Sequence, residues 1–214
     1  MRRHEIIEAI RVKILTHDLR PGESVPEEAL AEEFSVSRTP IREALAALEV
    51  LGFVTIEANK GARVSVYSID GIRQFFEAAE PIYLSVYRIA TERRTESDLE
   101  MLEKVLTIIE TLTPDGDVHS RIMAYRAYMN SLAGIAANPF LISVTDRLID
   151  YHIFLRRGIV DTLTSSELRR AAQVNYDHYR LINDGVLAAD AEAVCAAVIE
   201  RLRSSKTFLL ENLL

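Results

Sequence analysis

The chain has 214 residues, 49% of them hydrophobic and 27% charged, a globular balance that excludes a disordered or fibrous protein. That length allows one large domain or two small ones. A formal net charge of −7, from 25 basic and 32 acidic residues, excludes a bulk polycation, so any contact with nucleic acid must come from a local cluster of positive charge.

The first predicted helix runs from about Arg3 to His17, with Ile6, Ile7, Ile10 and Ile14 on one face. Glu8 and Arg11 interrupt any signal-peptide core, and Leu19-Arg20-Pro21-Gly22 ends the helix. Ser24-Val25-Pro26-Glu27 reads as a capping box that opens a second helix, with Leu30 and Phe34 turned inward. A turn at Ser35-Val36-Ser37 follows, Val36 plugging between its neighbours. The third helix starts near Ser37-Arg38-Thr39-Pro40, with Ser37 or Thr39 as the N-cap. Its Ile41, Ala44, Leu45, Leu48 and Leu51 repeat at helical spacing, and Gly52 stops it. Residues 53–66 read as a β-hairpin: Phe53-Val54-Thr55-Ile56, a turn at Glu57-Ala58-Asn59-Lys60-Gly61, then Val64 and Val66 alternating with Arg63 and Ser65. This order is that of a winged helix-turn-helix.

Beyond Asp70 the pattern is helical: near 71–92, 96–111, 118–136, 139–157, 165–186 and 190–212. Pro114-Asp115-Gly116-Asp117, Asn138-Pro139 and the stretch from Thr162 to Ser166 mark breaks. Pro81 predicts a kink or a local irregularity. No fixed period repeats, which argues against a solenoid. The predicted fold is mainly α: an N-terminal winged helix-turn-helix over 1–69 (helix-turn-helix about 27–46, wing about 53–66), then an all-α bundle over 70–214. The single cysteine, Cys195, cannot form an internal disulfide or a thiolate zinc finger. It fits a reducing, cytoplasmic setting and reads as a core residue. No apolar run reaches the roughly 18 residues of a membrane span.

At about 100° per residue, Arg38, Thr39 and Arg42 face away from the apolar stripe of the third helix, and the i,i+4 spacing puts both arginines on one stripe. Guanidiniums beside the free N–H groups of a helix N-terminus suit a phosphate backbone. Arginine also reads guanine in the major groove, and Ser37 and Thr39 can donate to phosphate. Lys60, Gly61 and Arg63 suit a wing along the minor groove, with Gly61 permitting positive φ at the tip. The bland alternative is a solvated face on which Glu43 and Glu49 neutralise the two arginines.

Residues 6–66 resemble the DNA-binding domain of the GntR family of bacterial transcription regulators. The resemblance rests on Leu19-Arg20-Pro21-Gly22, Leu30-Ala31, Val36-Ser37-Arg38-Thr39-Pro40-Ile41-Arg42-Glu43-Ala44-Leu45, Leu48-Glu49, Gly52-Phe53-Val54 and Gly61-Ala62-Arg63-Val64. It implies that Arg38, Thr39 and Arg42 touch DNA, helped by the wing around Lys60 and Gly61. Glu28 departs from the pattern, because some members carry a DNA-contacting arginine there.

The helical remainder resembles the FCD-type effector domain of the FadR subfamily, through Ala133-Gly134-Ile135-Ala136-Ala137-Asn138-Pro139-Phe140-Leu141 and Ala188-Ala189-Asp190-Ala191-Glu192-Ala193. Many such domains hold a metal with one Asp and three His. The corresponding positions here are Tyr125, Met129, Tyr179 and Arg201, which would not hold a divalent ion. No metal and no cofactor is expected, and His178, beside Tyr179, could restore only one ligand. Arg201 could instead supply the positive charge and pair with a carboxylate or phosphate. Tyr125 and Tyr179 would then donate hydrogen bonds and Met129 would line the wall. The alternatives are that Arg201 pairs with an acid such as Asp177 or sits at the solvent edge, and that Tyr and Met merely fill the core. His4 and His17 read as solvent-facing. Asp150 and His152, at i,i+2, do not face one another, so structural or surface roles are expected for them.

The expected function is that of a sequence-specific DNA-binding transcriptional regulator. It would be a repressor and a homodimer, not an enzyme, and its operator affinity would respond to a small anionic effector. The rival is a helical enzyme or ligand-binding protein whose N-terminal motif docks a protein; no nucleophile set, phosphate-cradling glycine loop or paired-acid motif speaks for it.

Overall fold

A computed structural model of the chain describes residues 2–58, 60–112 and 117–212. Asn59 of the expected hairpin turn, and Pro114, Asp115 and Gly116 of the expected break, lie outside the described residues. The elements in order are α1 (Arg3–Thr16), α2 (Glu27–Glu33), α3 (Arg38–Val50), β1 (Val54–Glu57), β2 (Gly61–Val64), α4 (Ile69–Arg93), α5 (Glu96–Thr111), α6 (Val118–Ile135), α7 (Pro139–Val160), α8 (Ser165–Leu187) and α9 (Ala191–Glu211). They group into two compact units, Met1–Tyr67 and Ser68–Leu214.

In the first unit, Ile6, Ile10 and Ile14 recur every four residues, so one face of α1 is buried. The helix ends at His17, which takes φ 65° and directs its N–H to the Ile14 carbonyl at 3.2 Å. His17 is thus a half-buried C-cap, not the solvent-facing residue expected.

The Ser24–Glu27 capping box does not form. Pro26 stands at the N-cap of α2 without a side-chain bond. Backbone pairing with the hairpin takes the preceding segment instead. Gly22 N–H donates to the Val64 carbonyl at 2.9 Å, Val25 N–H donates to Ala62 at 2.8 Å, and Ser24 bridges Arg63. An extended edge segment cannot also fold back onto the start of a helix.

Ser35, at φ 54°, makes the reversal between α2 and α3, and Val36 is half-buried there. Ile41, Ala44, Leu45 and Leu48 bury the inner face of α3, each large aliphatic contributing roughly 1.5–3 kcal/mol. Gly52, at φ 87°, turns the chain into the hairpin. Its strands pair antiparallel, Val54 opposite Val64 and Glu57 opposite Gly61. Val66, expected in the strand alternation, is exposed and lies beyond β2.

The second unit is all helical among the described residues. Its boundaries follow local cap chemistry. Ser68 accepts from Gly71 N–H, Thr95 and Asp98 form a capping box, and so do Thr164 and Glu167. Asp117, Asn138 and Asp190 cap α6, α7 and α9, with Pro139 in the first turn of α7. α4 continues through Pro81, which removes one N–H from the helix ladder and crowds the carbonyl one turn back; the Pro81 carbonyl accepts from Ser85 Oγ at 2.9 Å. α4 packs against α6, α7, α8 and α9, burying Tyr83, Val86, Tyr87 and Ala90.

Candidate functional site

α3 presents Ser37, Arg38, Thr39 and Arg42 to solvent at its amino end, with Pro40 half-buried. The Arg38 and Arg42 side chains are 53% and 66% exposed. Their partners are not Glu43 and Glu49 but two acids of α2. Arg38 donates to Glu28, and Arg42 Nε donates to Glu27 Oε2 at 2.8 Å. Glu49 accepts from the Ile56 N–H at 2.9 Å and so ties α3 to β1. At the hairpin, Lys60 pairs with Glu57 at 2.6 Å and Arg63 donates to the Gly22 carbonyl. Gly61, at φ 81°, is exposed at the tip. Exposed ion pairs are worth only about 0–1 kcal/mol. These contacts therefore orient the guanidiniums without burying them, and a phosphate can replace a carboxylate.

In the second unit, Tyr125 and Met129 of α6, Tyr179 of α8 and Arg201 of α9 line one cavity of about 80 Å³. Arg201 is 2% exposed. Its Nη1 donates to Tyr179 Oη at 3.4 Å and its Nη2 lies 3.9 Å from Met129 Sδ. The guanidinium carbon sits 5.2 Å from the Tyr179 ring centre and 5.8 Å from that of Tyr83, favourable cation–π distances. Tyr125 stacks on Tyr179 with centroids 5.4 Å apart, and Tyr128 Oη donates to the Tyr179 carbonyl at 3.3 Å. Burial pushes the Tyr125 phenol above its ordinary pKa, which keeps it a hydrogen-bond donor. Asp177 accepts from Gln173 at 2.7 Å, and Arg201 is neither its partner nor at the solvent edge.

The same cavity is lined by residues that the sequence does not single out for it: Arg121 of α6, and His152, Arg156 and Arg157 of α7. Arg156 donates to Ser205 Oγ at 3.2 Å and lies 4.8 Å from the Phe208 ring centre. His152 is buried, with Nε2 2.6 Å from Ser205 Oγ. Burial above all, and then Arg201 and Arg156, hold its pKa well below the usual imidazole value, so the ring is neutral. Among the described residues no carboxylate lines this cavity. A positional signal existed: Arg121, Tyr125 and Met129 recur every four residues, as do His152 and Arg156, which places each set on one helix face.

The donor set does not suit a divalent ion. Among the described residues no three of His, Cys, Asp and Glu come together. A guanidinium, which has no lone pair to offer, stands among the four positions. His178 is half-buried and lines a wider, adjoining cavity of about 540 Å³. Asp150 is engaged by Arg126 at 2.6 Å.

Residues 2–64 match the bacterial regulatory proteins of the gntR family, and residues 74–204 match the FCD domain. The sequence is similar to the HTH-type transcriptional regulator LutR of Bacillus subtilis (strain 168), at 24% identity over 208 residues, covering 90% of this chain and 94% of the relative. It is also similar to the HTH-type transcriptional repressor NanR of Salmonella typhimurium (strain LT2), at 28% identity over 218 aligned positions, covering 92% and 80%. Among solved structures the fold resembles E. coli McbR/YncC, with a TM-score of 0.86 at 19% identity over 98% of this chain and 97% of that one. A transcriptional regulator from Rhodococcus sp. RHA1 gives a TM-score of 0.79 at 17% identity, with the same coverage of 98% and 97%. At these identities the structural likenesses speak for the fold alone. No described helix is long and apolar enough to cross a membrane.

Proposed function

The chain belongs to the GntR family of bacterial regulatory proteins and carries an FCD domain, and from that premise we propose a cytoplasmic, homodimeric transcriptional repressor whose operator affinity is set by a small anion in the second-unit cavity. A protein of this build is a transcriptional regulator and not an enzyme. The observation that carries the reading is the pair of exposed guanidiniums, Arg38 and Arg42, at the amino end of α3. Set in the major groove, they contact phosphates or the O6/N7 edge of guanine. Ser37 and Thr39 donate to phosphate, Pro40 holds the first turn, and Lys60, Gly61 and Arg63 follow the neighbouring groove. One recognition helix reads only a few base pairs, so two copies on a two-fold operator supply the specificity.

The effector half rests on Tyr125, Met129, Tyr179 and Arg201 around the cavity. A ligand that binds one conformation of the dimer better than another changes operator affinity by the same coupling free energy. A salt titration of duplex binding tests the DNA half. Affinity should fall steeply with salt as counterions are released, with a log–log slope of about −0.9 per phosphate contacted. Binding that is absent, or indifferent to salt, overturns the proposal.

A further inference from the structure

We propose that the ligand of the α6–α9 cavity is a small dianion, a short dicarboxylate or a phosphomonoester, whose two charges are met by Arg201 of α9 and Arg156 of α7. This deepens the anionic-effector reading above and rests on it for the location of the site.

The other inward-facing arginines of this unit are engaged, Arg121 of the cavity wall among them. Arg126 is neutralised by Asp150 at 2.6 Å and Asp146 at 3.4 Å. Arg157, in the cavity wall, pairs with Asp161. Arg93 and Arg94 donate to the Ala136 and Val186 carbonyls, each at 2.6 Å. Arg201 and Arg156 are different. Arg201 has a tyrosine hydroxyl, a thioether and two aromatic faces around it, and its buried Nε has no acceptor. Arg156 has one serine hydroxyl and one aromatic face. Neither meets a carboxylate among the described residues.

The guanidiniums of Arg201 and Arg156 repel each other across this small cavity, and burial above all, with Arg201 adding to it, holds the Arg156 pKa below its usual value. Arg201 is buried and Arg156 half-buried, and charge held out of water without a counter-charge is strongly unfavourable. A monoanion satisfies one guanidinium and strands the other, whereas a dianion satisfies both with charge-assisted hydrogen bonds. The wider neighbouring cavity shares Arg156 and Arg201, and there Glu167, Glu200 and Glu211 stand against them and against Arg170 and Arg203, so the larger cationic excess belongs to the inner space. At about 80 Å³, that space holds several waters and suits a diacid of roughly three to five carbons, not a nucleotide or an acyl chain.

The test uses the full chain in thermal-shift and calorimetric titrations at constant ionic strength. The probes are succinate, glutarate, glycerol phosphate and butyrate. At least one dianion should bind about tenfold or more tightly than butyrate, and which one does separates the dicarboxylate from the phosphate source. Arg156→Met and Arg201→Met should each remove that preference. The ligand-free Arg201→Met variant should also melt no lower than the wild type, because a buried charge has been removed; loss of a merely structural arginine would lower the melting temperature instead. Butyrate binding as tightly as every dianion overturns the two-charge inference while leaving an anionic site. No binding by any probe overturns both.

Discussion

Replacing Glu28 with Gln should strengthen binding to duplex DNA. In the free protein Arg38 donates to Glu28 and Arg42 to Glu27, so a phosphate approaching either guanidinium must first displace a carboxylate of α2. Both pairs lie at the surface, with Arg side chains 53% and 66% exposed. After allowing for solvent screening, such a pair is worth about 0.2–1 kcal/mol. Glu28→Gln therefore raises affinity about 1.5- to 5-fold, and the double variant with Glu27→Gln up to roughly 30-fold per protomer if the two effects add. The gain comes through charge, so it should be at least as large on a duplex without the operator, and it should shrink as salt screens the carboxylates. Fluorescence anisotropy on operator and non-operator duplexes at several salt concentrations measures both effects. Glu96→Gln, at the start of α5, controls for the change in net charge. An unchanged or weaker affinity in Glu28→Gln, with the melting temperature unaltered, would show that Arg38 does not face the duplex.

Arg38→Ala and Arg42→Ala should each weaken operator binding by roughly 1–3 kcal/mol without shifting the circular-dichroism melt; a melt lowered by many degrees would assign them a folding role. Chelator dialysis should leave the melting temperature unchanged, and elemental analysis should return less than one equivalent of metal. A full equivalent that vanishes in Tyr179→Phe would refute the reading of the four positions. Stability should decline as pH falls through about 6.5, because unfolded histidine takes up a proton that buried His152 refuses. The slope should reach about 1.4 kcal/mol per pH unit from this group, with a same-signed contribution from His178, whose pKa burial also lowers; His152→Gln should flatten the curve, and an equal slope in that variant would count against the assignment. At Gly185 of α8 an added Cβ would stand 2.7 Å from Val194 Cγ2 and 3.2 Å from the Val194 backbone nitrogen, so Gly185→Ala should cost about 1–3 kcal/mol by forcing α8 off α9, readable in a denaturant midpoint.

Local chemistry was legible in the sequence. The four-residue recurrence of Ile6, Ile10 and Ile14, the stripe from Ile41 to Leu48, and the break at Asn138-Pro139 are settled within a turn or two of chain. Ser24 misled because its competing partners, Ala62 to Val64, lie some forty residues away in the hairpin. The same limit governs the sites. That α3 turns Arg38 and Arg42 outward follows from its apolar stripe, but their meeting with Glu28 and Glu27 depends on how α2 crosses α3. Tyr125, Met129, Tyr179 and Arg201 were located through family spacing. Arg156 and His152 were not, because no local rule says which face of α7 turns toward α9.

The ring of Tyr83 beside Arg201 belongs to α4, and α4 begins at Ile69, directly after the Ser68 cap and two residues beyond the end of the winged unit at Tyr67. A guest that draws the guanidinium toward itself loosens that side chain's hold on the aromatic face. In the proposal above, an occupied chamber is thereby felt also by the helix to which the reader of the double helix is covalently tethered.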